Sequence, residues 1–130
     1  MTKVVVVGHG GYGSAVKRNM AMLVGVPEEF YFVDFNETDD LETLKTKLKD
    51  VVDEIGGNEQ ILFACDLAGG SPFRETAMLC AENPRFAVVA GVNTSAYTEM
   101  TFNTELSAKE LAKLAFDVAT QSVLIYPPEE

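Results

Sequence analysis

The sequence predicts an α/β fold built on an open, mostly parallel β-sheet with the strand order 2-1-3-4 and helices on both faces. Short, continuous apolar runs at residues 4–7, 30–33, 61–64 and 86–90 are typical of strands that are buried on both faces. The stretches between these runs carry helical periodicity instead. This β-α-β-α alternation requires crossover connections and therefore a parallel sheet.

The first two intervening segments predict amphipathic helices with clear ends. The first helix places apolar residues at spacings of three to four and seven to eight from Val16 onward, and it stops at Gly25 and Pro27. The second is expected to open with Asp39 and Glu42 in a capping arrangement and to end at Gly56-Gly57.

Three further helices follow in the second half of the sequence. One is expected to begin with Ser71 as its N-cap and Pro72 at its first helical position. A short helix is expected over residues 95–102. The last is marked by a capping box of Ser107 and Glu110 ahead of another apolar face.

The end of the sequence predicts a short edge strand. Residues 123–126 form an apolar run, which two prolines and two glutamates follow. Proline cannot donate a ladder hydrogen bond, so strand pairing must stop there. We expect an antiparallel strand at the edge of the sheet.

Composition limits the class of protein. A chain of 130 residues with 47% hydrophobic residues predicts one domain over residues 1–130. The net charge of −10 disfavours nucleic acid and anionic lipid as partners, and no apolar run is long enough to cross a bilayer, so we expect a cytoplasmic protein without membrane insertion. Cys65 and Cys80 lack neighbours at metal-ligand spacing, which predicts free thiols and no bound metal.

Two glycine-rich segments are candidates for a functional site. Residues 8–13 follow the first strand, and residues 66–73 follow the third. In open α/β sheets, ligands bind beyond the carboxyl ends of the strands, where the strand order reverses. The order 2-1-3-4 therefore predicts that the two segments form one crevice.

His9 is the only histidine of the chain and lies between Gly8 and Gly10. Glycines on both sides leave the imidazole uncovered, so a nucleophilic role is favoured over a packing role. Asp66, at the end of the third strand, is the expected partner that orients the ring and stabilises its positive charge. The alternative for Asp66 is a solvated carboxylate without a partner.

The second segment carries features that suit a phosphate group. Gly69 and Gly70 let backbone N–H groups approach a ligand, as Gly10 does in the first segment, and Ser71 opens a helix whose positive end faces the crevice. Ser71 could donate its hydroxyl to the phosphate, or it could serve only as a helix cap.

With these residues in place, the sequence resembles the mannose-type enzyme IIA domains of the bacterial phosphoenolpyruvate-dependent sugar phosphotransferase system (PTS). The resemblance spans nearly the whole chain. It rests on the Gly-His-Gly motif at residues 8–10, on Asp66 with the Gly-Gly-Ser-Pro-Phe motif at residues 69–73, and on Ala-Gly-Val-Asn at residues 90–93.

The resemblance implies a phosphoryl carrier in sugar uptake. His9 would accept phosphate from the phosphocarrier HPr and pass it to a histidine of a separate enzyme IIB, with Asp66 and Ser71 as the matching site residues. It also implies that the strand at residues 123–126 is exchanged across a homodimer. No cofactor or metal is expected for a transfer between two histidines.

Two other functions remain open at this point. Gly8, Gly10 and Gly13 fit the dinucleotide-binding pattern, with Asp34 at the end of the second strand, which would indicate a small nicotinamide-binding regulatory domain. The second alternative is the phosphocarrier subunit of a dihydroxyacetone kinase, which has a similar domain. A P-loop is excluded because no Gly-Lys-Ser/Thr follows the glycines.

Overall fold

The computed structural model describes residues 1–129 and contains the predicted parallel sheet. The strands of this described part are β1 (Lys3–His9), β2 (Phe30–Phe35), β3 (Ile61–Cys65) and β4 (Phe86–Ala90). They are parallel and lie in the order β2-β1-β3-β4, so the predicted order is confirmed. This order sets the ends of β1 and β3 side by side.

The helices connect the strands and cover both faces of the sheet. They are α1 (Tyr12–Leu23), α2 (Leu41–Ile55), α3 (Ser71–Glu82), α4 (Thr94–Met100) and α5 (Ala108–Gln121). Among residues 1–129, none of these helices combines the length and the apolar character that a membrane crossing requires.

The alternation of side chains along β1 divides the core into two layers. Val4 and Val6 point to one face, where they pack in the cluster that α1, α4 and α5 complete. Val5 and Val7 point to the other face and pack with residues of α2 and α3. All four valines are fully buried, which explains why β1 appears in the sequence as a continuous apolar run.

The predicted start of α2 is wrong by one residue. Asp40, not Asp39, is the N-cap, and its carboxylate accepts the backbone N–H of Thr43 at 2.8 Å. Asp39 instead accepts the ammonium group of Lys47 at 2.6 Å. The same ammonium group donates to the backbone carbonyl of Asp34 at 2.8 Å, so Lys47 ties α2 to the end of β2.

The predicted cap of α3 is also wrong by one residue. Gly70 is the N-cap, with φ 88° and ψ 179°, and Ser71 is the first helical residue and makes no capping hydrogen bond through its side chain. Such a backbone conformation belongs almost only to glycine, which explains why Gly70 takes the cap position. By contrast, the capping box of Ser107 and Glu110 is confirmed at α5.

Residues 123–126, which follow α5, are exposed in the single chain. Residues 123–126 make no strand in the described part of this single chain, and their side chains are 65–90% exposed. The segment starts near β4, because Asn93 donates its side-chain amide to the Ser122 hydroxyl at 2.9 Å. An exchanged strand requires a second chain, so the predicted edge strand stays a prediction.

Candidate functional site

His9 is the last residue of β1 and lies at the carboxyl edge of the sheet. The ladder continues to the pair His9 and Phe35, and the N–H of Gly10 then donates to the carbonyl of Phe35 at 2.7 Å. Gly10 has φ 60°, so the chain turns away directly after the histidine. The imidazole is left 43% exposed, with its ring centroid 5.9 Å from that of Phe35.

Asp66 follows β3 and contacts His9 twice. Its Oδ2 lies 2.8 Å from Nδ1 of the imidazole and also accepts the backbone N–H of His9 at 2.9 Å. The other carboxylate oxygen accepts the N–H of Leu67 at 3.0 Å. The Asp66 side chain is only 13% exposed, so the carboxylate is held by three short contacts in a largely desolvated position.

This geometry selects one form of the neutral imidazole. A carboxylate oxygen only accepts, so the ring nitrogen beside it, Nδ1, must carry the hydrogen. The lone pair of His9 is therefore on Nε2, which Asp66 does not contact. One ring nitrogen is held by a carboxylate and the other is free, which is the arrangement that an oriented imidazole nucleophile requires.

Gly70 lies directly against the free side of the ring. A Cβ atom at this position would stand 2.9 Å from Cε1 and 3.0 Å from Nε2 of His9. Gly70 is also the N-cap of α3, so Nε2 lies beside the start of this helix. The first N–H groups of a helix have no intrahelical acceptor, and the helix dipole places positive charge there. The arrangement suits a phosphate on Nε2.

The other predicted phosphate-binding residues lie around this position. Ser71, in the first turn of α3, accepts a weak hydrogen bond from the guanidinium group of Arg74 at 3.4 Å through its hydroxyl. A Cβ at Gly69 would meet only Leu67 within 4 Å, and a Cβ at Gly10 would meet nothing. Gly70 therefore lies against the imidazole and Gly69 does not, while the space beside Gly10 is open apart from its chain neighbours.

Sequence reasoning missed the two hydrogen-bonded tyrosines near Asp66, Tyr12 and Tyr97. A Cβ at Gly8 would stand 2.6 Å from Cδ2 of Tyr12 and 2.8 Å from Cγ of Asp66. The Tyr12 hydroxyl hydrogen-bonds that of Tyr97 on α4, and burial raises the pKa of Tyr12. The glycine before His9 was a sequence signal for close packing, but nothing in the sequence pointed to Tyr97.

The dinucleotide-binding pattern has a structural role here. Both carboxylate oxygens of Asp34 bind Ser14 in the first turn of α1, one through the backbone N–H at 3.1 Å and the other through the hydroxyl. A Cβ at Gly13 would stand 2.9 Å from Oδ1 of Asp34. The acid that a ribose would need is therefore engaged in packing α1 against β2.

Comparison with known proteins decides the family. Residues 3–115 match the EIIA-man family, described as the fructose IIA component of the PTS. The chain belongs to this family. It is 30% identical over 112 residues to a protein from Bacillus subtilis named PTS system fructose-specific EIIA component, a match that covers 85% of this chain and 77% of that protein. It is 29% identical over 126 residues to the mannose-specific EIIAB component of Escherichia coli, covering 95% of this chain and 39% of that protein.

Solved structures agree with this assignment. A mannose/sorbose-specific IIA subunit from Enterococcus faecalis superimposes with a TM-score of 0.89 at 26% identity, covering 99% of this chain and 97% of that one. A PTS component EIIA from Streptococcus agalactiae has a TM-score of 0.87 at 21% identity, covering 97% and 98%, and shares the fold. The protein is an enzyme IIA component of the mannose/fructose family and a phosphoryl carrier in sugar uptake. The nicotinamide-binding and dihydroxyacetone kinase alternatives are not favoured.

Proposed function

We propose that Nε2 of His9 is the atom that carries the phosphoryl group, accepting it from phospho-HPr and giving it to a histidine of an enzyme IIB. The observation that carries the proposal is the position of the ring. Asp66 holds Nδ1 at 2.8 Å, and Nε2 lies against Gly70 at the start of α3. No other histidine exists in the chain to serve as the carrier.

In the forward step, the Nε2 lone pair attacks phosphorus while the phosphorus–nitrogen bond of the donor phosphohistidine breaks. The electron pair of the broken bond returns to the donor imidazole. The hydrogen on Nδ1 of His9 stays in place, and the ring gains positive charge as the new bond forms. Asp66 stabilises this charge through the same oxygen that orients the ring. Transfer to enzyme IIB is the reverse of this step.

The start of α3 supplies the expected phosphate contacts. We expect the backbone N–H groups of Gly70 and Ser71 and the Ser71 hydroxyl, at the start of α3, to bind the phosphate, while Pro72 has no N–H to contribute. Arg74 adds a positive charge that already contacts the Ser71 hydroxyl. Gly10 and Gly69 have no side chain that would obstruct the phosphate or the histidine of the partner protein.

The proposal extends to location and assembly. A cytoplasmic location fits a carrier whose phosphate derives from phosphoenolpyruvate, a cytoplasmic metabolite. A homodimer with exchanged strands would cover residues 123–126, whose apolar side chains are exposed in the single chain. The resemblance to mannose-type IIA domains supports both statements.

The test is phosphorylation of the purified protein by phosphoenolpyruvate, enzyme I and HPr, followed by intact-mass spectrometry. We expect one added phosphate that is labile in acid on the wild type and none on His9→Ala. The fold of the variant is checked by circular dichroism. Normal labelling of the folded variant, or no labelling of the wild type with active HPr, would overturn the proposal.

A further inference from the structure

We propose that Tyr12 and Tyr97 form a positioning pair that holds the Asp66 carboxylate against His9. The inference rests on the proposed function, because it assigns a task to residues behind the proposed nucleophile. Neither tyrosine is placed in contact with the phosphate. Their task is to fix the carboxylate that fixes the imidazole.

The first observation is the shared space above Gly8. Cδ2 of Tyr12 and Cγ of Asp66 both lie within 3 Å of the point where a Cβ at Gly8 would stand. Since glycine has no side chain to separate them, the tyrosine ring and the carboxyl group occupy the same small volume. The Tyr12 ring therefore lies beside the Asp66 carboxyl group.

The second observation is that the Tyr12 ring is fixed at both ends. Its backbone is the first residue of α1, and its hydroxyl hydrogen-bonds Tyr97, which is 2% exposed and packed in the core on α4. Burial raises the pKa of both hydroxyls, so the pair stays neutral at physiological pH and adds no charge beside Asp66. Tyr97 thus anchors the ring to a second helix.

The third observation is the sensitivity of the Asp66 contacts. A single oxygen, Oδ2, accepts both Nδ1 and the backbone N–H of His9, at 2.8 and 2.9 Å. A small rotation of the carboxylate would disturb both hydrogen bonds together, because they share one acceptor atom. A ring packed beside the carboxylate limits that rotation.

Three variants separate positioning from packing. Tyr12→Phe and Tyr97→Phe each remove one hydroxyl and leave the other without its partner, so both are expected to lower thermal stability. The double variant removes both hydroxyls, and replacing both partners by apolar groups is close to neutral for stability. Tyr31→Phe, a partly buried tyrosine on β2 that packs on the opposite face of the sheet, is the matched control.

Two readouts are measured on each folded variant. One is the single-turnover rate of transfer from phospho-HPr. The other is the ¹⁵N spectrum of the imidazole, which reports the Nδ1–H and Nε2–H forms and is unambiguous because His9 is the only histidine. We expect the two single variants and the double variant to transfer about tenfold more slowly and to show more of the Nε2–H form.

Wild-type rates and an unchanged imidazole spectrum in the double variant would overturn the positioning role and leave the pair as packing. A Tyr31→Phe control as slow as the tyrosine-pair variants would overturn it as well. A wild type that accepts no phosphate would instead refute the proposed function. The ¹⁵N spectrum would still test the positioning pair in that case, since it needs no phosphoryl transfer.

Discussion

Replacement of Gly70 by alanine tests the geometry of the site most directly. The new methyl group would stand 2.9 Å from Cε1 and 3.0 Å from Nε2 of His9, whereas ordinary carbon contacts are about 3.5–4.0 Å. The ring must therefore move by about 0.5–1 Å to relieve the contact. Any such movement displaces Nε2 from the start of α3 or pulls Nδ1 away from Asp66.

The same substitution also strains the backbone, because Gly70 has φ 88° and ψ 179°. A residue with a side chain in this region costs about 1–3 kcal/mol of stability. Misplacement of a reacting group by about 1 Å can cost about 100-fold in rate. We therefore expect Gly70→Ala to lose about 1–3 kcal/mol in its free energy of unfolding and to transfer phosphate about 10- to 100-fold more slowly.

Gly25→Ala separates the two effects. Gly25 has φ 85°, but a Cβ there would meet nothing within 4 Å. Both variants should therefore lose stability in urea denaturation, and only Gly70→Ala should lose transfer in a single-turnover assay with ³²P-labelled phospho-HPr. Wild-type transfer by folded Gly70→Ala would refute the close contact between the ring and Gly70.

Four further predictions follow from other parts of the molecule. In Asp66→Asn, either orientation of the side-chain amide places its N–H₂ group against an N–H donor of His9 or Leu67, so at least one charge-assisted hydrogen bond is lost. The rate of single-turnover transfer should fall about 10- to 150-fold. The matched variant of an exposed acid, Asp53→Asn, should transfer at the wild-type rate. Ser107→Ala removes the hydroxyl that accepts the backbone N–H of Glu110 and should cost about 1 kcal/mol in urea denaturation. Truncation after Gln121 should give monomers or aggregates, and an unchanged dimer in analytical ultracentrifugation would contradict strand exchange. Cys65, buried and with its pKa raised to about 11, should resist iodoacetamide at pH 8 until the protein is unfolded.

The strands and their order could be predicted from the sequence because burial on both faces leaves a plain signal. The run at residues 4–7 is apolar at every position, since alternate valines face the two helical layers. Helix starts were less certain. Asp39 and Asp40 are adjacent acids, and only the three-dimensional position of Lys47 decides that Asp39 binds the ammonium group and Asp40 caps the helix.

The proposed site could be predicted only in part. His9 ends β1 and Asp66 follows the neighbouring parallel strand β3, so topology alone brings their backbones together at one edge. The cap at Gly70 was missed because serine is the usual cap residue, whereas the backbone here needs glycine. Tyr97 could not be found, because its contact with Tyr12 depends on how α1 and α4 pack, and no local pattern records that.

The contact between Lys47 and the carbonyl of Asp34 has a consequence for solubility. β2 is an edge strand of the sheet in the described chain. The unpaired backbone N–H and C=O groups of an edge strand can pair with a strand of another chain and so promote aggregation. The ammonium group of Lys47 occupies the last of these carbonyls, and Lys17 lies over the Phe32 ring, 5.7 Å from its centroid. An incoming strand would have to displace the Lys47 ammonium group from this carbonyl and approach the charge of Lys17, so we expect the two lysines to disfavour self-association at this edge.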